Sequence, residues 1–288
     1  MKSLDRTIRA KSVLAGALVT AAATFAAGLL GPGCTVEQPK TRCTTAKGAF
    51  ALKYTKVDGT GACAEIKGET AGVNSYWRPE GGSYSVTKGP VAIKLDEVGV
   101  LLDEYGQDAE SKSVVALGAF KTEDPDENGF CEVEMAQPAN LKLAEVPPMP
   151  TGDAGAMTEA KPALDLTVEW SNVKFYVTAA QPGTLFTGRL KYSKIVQGQT
   201  PSAATYDIVG LWPAVHCEGE SPGADGKPKP NGQPVDDLCH PCADPLKGRP
   251  LGSGISPGVD ITCDSETLSC VPKSALPSLR PEPIKCGG

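Results

Sequence analysis

The sequence predicts an all-β protein built on an antiparallel β-sandwich, with a barrel-like sheet as the alternative. Composition supports this prediction, because 32 Gly and 25 Pro in 288 residues are too many helix breakers for a long helical bundle. Hydropathy supports it as well, since apolar and polar residues alternate in many short segments. Short strands that follow one another without helical segments between them are typical of antiparallel sandwiches and barrels.

The alternation begins shortly after residue 43. Phe50, Leu52 and Tyr54 occupy alternate positions, and the DGTG segment at 58–61 predicts a turn before the next strand. Residues 95–105 form the one segment that has a helical pattern. The segments that predict separate short strands are 50–55, 63–66, 91–95, 131–135, 184–192 and 206–212.

The clearest strand pattern covers residues 166–177. Apolar residues occupy even positions up to Trp170 and odd positions from Val173 onward. Because one extra residue returns the apolar side chains to the same face, this change of phase at 171–172 predicts a β-bulge. The QPG segment at 181–183 then predicts a tight turn that closes a hairpin.

The extension after the sandwich has a different composition. Residues 218–258 contain eight Pro and eight Gly, so we expect no strand or helix of normal length there unless cross-links hold the chain. Residues 146–163 form a linker or a long surface loop within the sandwich. The predicted organisation is a signal peptide at 1–33, a tether at 34–42, a β-sandwich domain at 43–216 and a Cys-containing extension at 217–288.

The N-terminal segment has the layout of an export signal. Four basic residues precede residues 12–30, which contain no charge, and a small-residue turn follows. The alternatives are a retained transmembrane anchor and a buried helix of the folded domain. We favour a cleaved signal, because the run is rich in Ala and no charged stop-transfer flank follows it.

The end of this segment, Leu30-Gly31-Pro32-Gly33-Cys34, resembles the lipobox of bacterial lipoprotein precursors. Gly33 and Cys34 match that pattern, whereas the family's preferred Leu is displaced by one position. The resemblance implies that Cys34 becomes the mature N-terminus and carries a diacylglyceryl thioether and an amide-linked acyl chain. Several acyl chains anchor a protein stably. Thr35, and not Asp, follows the Cys, and in Gram-negative lipoproteins this resemblance implies an outer-membrane destination. The alternative is ordinary signal-peptidase cleavage, which would leave a secreted or periplasmic protein.

The cysteines indicate an oxidising compartment. Without Cys34, nine of the ten cysteines remain, and an exported protein usually pairs them. We expect Cys43 to pair with Cys63, as neighbouring strand ends, and Cys286 to be unpaired or intermolecular in the Pro-rich tail. The disulfide candidates are Cys43, Cys63, Cys131, Cys217, Cys239, Cys242, Cys263 and Cys270.

The Cys239-His240-Pro241-Cys242 segment has three interpretations. A redox motif needs the first Cys at a helix N-terminus in a βαβ unit, and a zinc site needs free thiolates and a second pair of ligands. The surrounding sequence provides neither, so we favour two structural half-cystines with distant partners. We therefore expect no metal and no cofactor.

The DPDENG segment at 124–129 matches the first six positions of an EF-hand calcium loop. The Glu needed at the twelfth position is replaced by Met135. We therefore favour a hairpin turn over a weak calcium site.

Five aromatic residues have two interpretations, as core residues or as a sugar- or peptide-binding face. A core role is favoured because Trp170 and Trp212 are in phase with aliphatic residues. The five are Tyr54, Tyr76, Trp77, Trp170 and Trp212.

The charge distribution argues against nucleic acid as a partner. The first 33 residues have a net charge of +3, from Lys2, Arg6, Arg9 and Lys11 against Asp5. Because the net charge of the whole chain is −6, the remaining residues carry a net charge of −9. That surface repels phosphate, and no basic cluster follows residue 33.

The segments TTAKGAF at 44–50 and WSNVKFY at 170–176 resemble secreted lipoproteins of myxobacterial type. That resemblance implies no activity. The sequence therefore predicts a lipid-anchored cell-envelope protein, a non-enzymatic binding or structural module with a protein, peptide or glycan partner. The alternative is a hydrolase or carbohydrate-active enzyme on a β scaffold, although only two His residues are present and no catalytic residues emerge. That alternative requires a concave site with convergent carboxyl groups of perturbed pKa.

Overall fold

The structure, a computed structural model, describes residues 40–106, 113–150, 157–223, 225–247 and 249–286. The predicted signal peptide at 1–33, Cys34 and most of the tether at 34–42 lie outside the described residues. From Thr41 onward the chain forms one compact unit. None of the helices in the described residues has the length and apolar composition needed to cross a membrane.

Residues 48–211 contain the main sheet and one helix. The helix α1 is Asp96–Tyr105. The strands are β1 Gly48–Thr60, β2 Gly68–Ser75, β3 Arg78–Glu80, β4 Ser83–Ser85, β5 Val91–Leu95, β6 Ala116–Phe120, β7 Phe130–Gln137, β8 Ala139–Leu143, β9 Leu164–Val177, β10 Pro182–Val196 and β11 Ser202–Leu211.

The main sheet closes on itself. Its strands follow the order β10-β11-β1-β2-β5-β6-β7-β9, and β9 also pairs with β10. These pairings are antiparallel. β8 pairs with the first half of β9, whereas β3 and β4 form a separate hairpin. The predicted all-β antiparallel fold is confirmed, in its barrel-like form.

Large apolar side chains fill the interior of the closed sheet. Phe50, Phe175 and Phe186 are completely buried, and their ring centroids lie 5.0–6.4 Å apart. Tyr54 and Trp170 are buried beside them, as the alternation predicted. Close contacts of this kind are typical of a packed core and leave little space inside the sheet.

The predicted bulge and hairpin are present in β9 and β10, whereas the turn that closes the hairpin lies at 178–181, just before most of the predicted QPG segment. Asn172 has a φ of 53°, and the register between the two strands shifts opposite it, between Thr187 and Arg189. Gly183 lies at the start of β10 with a φ of 71°, where a Cβ would lie 2.3 Å from the Thr44 carbonyl oxygen. Glycine is therefore required at this position.

Two local predictions for residues 58–66 are wrong, whereas the predicted helix is confirmed as α1. β1 continues through the expected turn, because it pairs with β11 as far as Thr60. The expected strand at 63–66 is a short 3-10 helix, Ala62–Glu65. It follows Gly61, whose φ of 69° ends the extended conformation.

The C-terminal extension packs against the outer face of the closed sheet. Tyr176, Leu185 and Leu211 of the sheet form a second apolar cluster with Ile255 and Val259 of the extension. The extension contains more strand than its composition predicted, in the hairpins β12 Glu218–Pro222 with β13 Pro228–Pro234, and β14 Ile261–Cys263 with β15 Cys270–Pro272. Two 3-10 helices, Asp236–Cys239 and Pro245–Lys247, lie between these hairpins.

Four disulfides cross-link the chain. One joins the segment before β1 to β7 of the main sheet, and three lie in the extension. The pairs are Cys43–Cys131, Cys217–Cys263, Cys239–Cys270 and Cys242–Cys286.

The expected Cys43–Cys63 pair is wrong, and Cys63 is a buried free thiol. The 13 residues of β1 separate these two cysteines. A strand of that length extends about 40 Å, whereas a disulfide requires Cα atoms within about 7 Å. The expectation of an unpaired Cys286 is also wrong, because Cys286 is bonded to Cys242.

Candidate ligand-binding cavity

A cavity of about 640 Å³ lies at one end of the closed sheet. It is located where β1 ends and β2 begins, and α1 and the 3-10 helix Ala62–Glu65 form part of its wall. The ends of β10 and the starts of β9 and β11 complete it. Side chains fill the interior of the sheet, whereas this end leaves room for a ligand.

Glu69 is one of the polar residues that line the cavity. It has the same phase along β2 as the buried Ala71 and Val73, so its side chain faces the inside of the sheet. One carboxylate oxygen accepts a hydrogen bond from the Tyr54 hydroxyl at 2.8 Å. The other accepts one from the Glu97 backbone N–H at 3.2 Å. Glu69 therefore caps the N-terminus of α1, where Leu95, the N-cap residue, offers no side-chain cap.

The surroundings of Glu69 favour its protonated form. Burial raises the pKa of Glu69 to about 7, and the nearby Glu97 and Asp96 carboxylates act in the same direction. The hydrogen bonds from Tyr54 and the Glu97 N–H oppose this rise. Burial also raises the pKa values of Tyr54 and Tyr192. The groups around Glu69 are therefore in an environment that disfavours unpaired charge.

Glu97 and Lys194 form an ion pair at the edge of the cavity. The Lys194 Nζ donates to a Glu97 carboxylate oxygen at 3.0 Å, and both side chains are about one third exposed. Lys194 has the same phase along β10 as Leu190 and Tyr192, which are buried. The pair links α1 to β10 and leaves a carboxyl-rich wall beside it.

The rest of the cavity wall is mostly apolar. Val100 and Leu101 contribute from α1, and Leu164 and Val196 contribute from β9 and β10. The Cys63 thiol also lines the cavity, and its sulfur lies 3.4 Å from the Ser202 carbonyl oxygen. An apolar wall with a few fixed polar groups is typical of sites that bind small molecules.

The predicted Cys239–Cys242 segment lies in the extension, away from the residues that line the cavity. Its two cysteines are bonded to Cys270 and Cys286, the distant partners that the structural interpretation expected. The sulfurs of Cys217, Cys239 and Cys263 lie within 4.8 Å of one another, but all three belong to disulfides. Zinc binds thiolates, so this cluster offers no ligand in its oxidised state.

The predicted turn at 124–129 connects β6 and β7. The Asp126 carboxylate accepts hydrogen bonds from the backbone N–H groups of Asn128 at 2.9 Å and Phe130 at 2.8 Å. Gly129 has a φ of 80°. The Asp126 carboxylate thus holds the hairpin turn together, as the turn interpretation expected.

The aromatic residues divide into two groups. Tyr54 and Trp170 are buried and Trp212 packs partly against the core. Tyr76 and Trp77 are more than half exposed, together with Tyr84, which the sequence interpretation did not include. The Trp77 and Tyr84 ring centroids lie 6.4 Å apart. The core interpretation is therefore wrong for Tyr76 and Trp77.

The sequence interpretation missed the residues of the cavity. Glu69 and Lys194 each lie at an inward-facing position of a strand, and the nearest inward-facing residues of the same strand are apolar or aromatic. A charged residue at an inward-facing position near the end of a strand indicates a candidate ligand-binding site at that end of the sheet. That signal was available in the pattern of β10, although β2 itself was not predicted.

Comparison with known proteins identifies the family of the chain. The MlpA family matches residues 48–213, more than half of the chain and all of the closed sheet. A Myxococcus xanthus protein named "Putative lipoprotein MlpA" is 28% identical over 274 residues, which cover 91% of this chain and 97% of that protein. No solved structure matches the chain significantly. The predicted resemblance to myxobacterial lipoproteins is confirmed, and the chain belongs to the MlpA family.

Proposed function

We propose that this lipoprotein is a non-enzymatic binding module of the cell envelope, anchored through lipid on Cys34, that holds a small ligand in the cavity. The observation that carries the binding function is the cavity of about 640 Å³ with Glu69 in its wall. Its volume lies within the roughly 300–1,000 Å³ that is usual for ligand sites.

The contacts of the Glu69 and Glu97 carboxylates support binding rather than catalysis. Both oxygens of Glu69 accept a hydrogen bond from a fixed donor, and Glu97 is paired with Lys194. These donors hold the Glu69 carboxylate in place, and each oxygen keeps a lone pair that a bound cation can use. The hydrolase alternative needs a second carboxyl group that is free to act with Glu69, whereas the neighbouring Glu97 is engaged by Lys194.

The binding function is tested with an uncharged apolar fluorophore, N-phenyl-1-naphthylamine. The probe is added to the mature chain with Cys34→Ser, which removes the lipid. We expect saturable fluorescence enhancement that Val100→Trp abolishes, because the larger side chain fills the cavity. Val57→Trp is the matched control, since Val57 is exposed to a similar extent and does not line the cavity. Equal binding by both variants, or no binding at all, contradicts the proposed function.

The anchor is tested by the intact mass of the protein isolated from membranes. We expect cleavage before Cys34, a diacylglyceryl group and one further acyl chain, with an outer-membrane location in cell fractions. Reduction is expected to add the mass of two hydrogen atoms for each of four disulfides. A mass that begins upstream of Cys34 or carries no lipid contradicts the anchor.

The exposed aromatic rings favour a second candidate, a glycan-binding surface. Tyr76, Trp77 and Tyr84 present rings that can stack on sugars, and exposed aromatic groups of this size commonly mark interaction sites. Titration with chitotetraose tests it, because Trp77 fluorescence should change on binding. A response that is retained in Tyr84→Phe and lost in Tyr84→Ala would support stacking. No response in the unmodified chain contradicts this candidate.

A further inference from the structure

We propose that the cavity takes a ligand with a protonated amine on an apolar body, an inference that rests on the binding function proposed above. The ammonium group would lie beside Glu69, and the apolar part would lie against the wall formed by α1 and β10.

The cavity wall is rich in acidic groups. Among the described residues that line it, the carboxyl groups outnumber the basic groups by four to one. The one basic group, Lys194, already pairs with Glu97 at 3.0 Å. The remaining carboxyl groups create a negative potential that a cation complements and an anion opposes. These remaining groups belong to Glu69, Asp96 and Glu104.

The hydrogen-bond partners of Glu69 carry no countercharge. Its hydrogen-bond donors are the Tyr54 hydroxyl and the Glu97 backbone N–H, and both are neutral. A half-buried carboxylate with neutral donors lacks the countercharge that would offset its loss of solvation. An ammonium group in the cavity would supply that countercharge.

Another part of the cavity wall is apolar. Val100, Leu101, Leu164 and Val196 provide a surface that a bare metal ion would not use. An uncharged apolar ligand would use this surface but would leave the carboxyl groups without a cation. A cationic amphiphile of drug-like size satisfies both parts of the wall.

The affinity for such a ligand should depend on pH. Ionised Glu69 attracts the ammonium and protonated Glu69 does not, so affinity should rise as the pH rises through about 7. A primary amine remains protonated across this range, because its pKa is near 10. The titratable and charged groups that surround Glu69 from β1, α1, β10 and the 3-10 helix are Tyr54, Asp96, Glu97, Tyr192, Lys194 and Cys63.

The experiment compares dansylcadaverine, which is a primary amine on an apolar fluorophore, with its N-acetyl derivative. The two probes share the ring and the linker and differ in charge. At about pH 8 we expect the amine to bind at least about tenfold more tightly, and at about pH 5.5 we expect the ratio to fall by several fold. The chain with Cys34→Ser is used for both probes.

Variants identify the carboxyl groups responsible. Glu69→Gln should remove most of the preference for the amine and its pH dependence, while binding of the acetylated probe persists. Asp96→Asn should reduce the preference without altering the Tyr54 contact, which covers the case of a misfolded Glu69→Gln. Glu169→Gln is the matched control, because Glu169 is exposed on β9, pairs with Lys191 and lies outside the cavity.

The outcomes separate this inference from the proposed function. If N-phenyl-1-naphthylamine binds in the cavity and the two dansyl probes bind equally, the inference is wrong and the binding function stands. An amine preference that survives both Glu69→Gln and Asp96→Asn also contradicts the inference. If neither the apolar dye nor the dansyl probes bind, the binding function and the inference are both wrong.

Discussion

Lys53 on β1 and Asp264 in the extension form an ion pair between residues that are 211 positions apart in the chain. Lys53 lies on the outer face of the closed sheet, whereas Asp264 is 7% exposed and follows β14. Asp264 also accepts hydrogen bonds from the backbone N–H groups of Glu266 and Thr267. One carboxylate thus organises the β14–β15 turn and attaches it to the sheet.

We predict that Asp264→Asn loosens the extension and destabilises the protein by roughly 1–3 kcal/mol at neutral pH. Burial acts to raise the pKa of Asp264, but the Lys53 ammonium and the backbone N–H groups prevail and lower it. A lowered pKa stabilises the fold above the unfolded-state value and loses that effect as the pH falls through the folded-state value. The difference between the proteins should therefore shrink in acid, as measured by urea unfolding. Glu266→Gln is the control, since its pair with Lys67 is exposed and should contribute about 0–1 kcal/mol. An equal loss in both variants contradicts the prediction.

Glu69 should make stability depend on pH in the opposite direction. Its pKa is raised to about 7 from an ordinary value of 4.5, so the folded state binds more protons between these values. Its contribution is greatest at low pH and is lost as the pH rises through 7. Relative to Glu69→Gln, the unmodified protein should lose on the order of 2 kcal/mol between about pH 5 and about pH 8. Urea unfolding at both values measures this difference, and a constant difference would show that Glu69 titrates normally.

The Cys43–Cys131 disulfide should contribute strongly to stability. It links positions 88 residues apart, and loss of a cross-link over a loop of this length costs roughly 2–5 kcal/mol. We expect the double variant Cys43→Ala/Cys131→Ala to show this loss in urea unfolding at constant pH. The double variant Cys242→Ala/Cys286→Ala, which removes a bond near the C-terminus, is the comparison and should leave the unfolding of the sheet nearly unchanged. Comparable losses in the two variants contradict the prediction.

Cys63 should be the one reactive thiol of the chain with Cys34→Ser, and only after unfolding. The eight other cysteines of this variant form disulfides, and Cys63 is 1% exposed. A thiol shielded to this extent reacts slowly with Ellman's reagent. We expect less than one thiol per chain in buffer and one in denaturant without reductant. Three thiols in denaturant would indicate that one of the disulfides is absent.

The bulge in β9 should depend on Asn172. Its φ of 53° is a conformation that Asn and Gly tolerate and that β-branched residues do not. We expect Asn172→Gly to change the free energy of unfolding little and Asn172→Val to reduce it by about 1–3 kcal/mol. Thermal unfolding of the two variants checks this, and similar melting temperatures would show that the bulge accommodates any residue.

The local pattern of the sequence determined the antiparallel strands, the helix α1 and the bulge at residues 171–172. These features depend on neighbouring residues, because a strand has a period of two and a helix one of 3.6. The same local reasoning failed at residues 63–66, where pairing of β1 with β11 and the φ of Gly61 decide the conformation. It also placed Tyr76 and Trp77 in a core that they do not join.

Only the tertiary structure decided the closure of the sheet, the partners of the cysteines and the composition of the cavity. The continuous strand β1 keeps Cys43 and Cys63 apart. Pairing of β9 with β10 and β7 closes the sheet. It also brings Glu69 of β2 beside Glu97 of α1 and Lys194 of β10. Contacts between distant segments depend on which strands pair, and periodicity along the chain does not record that choice.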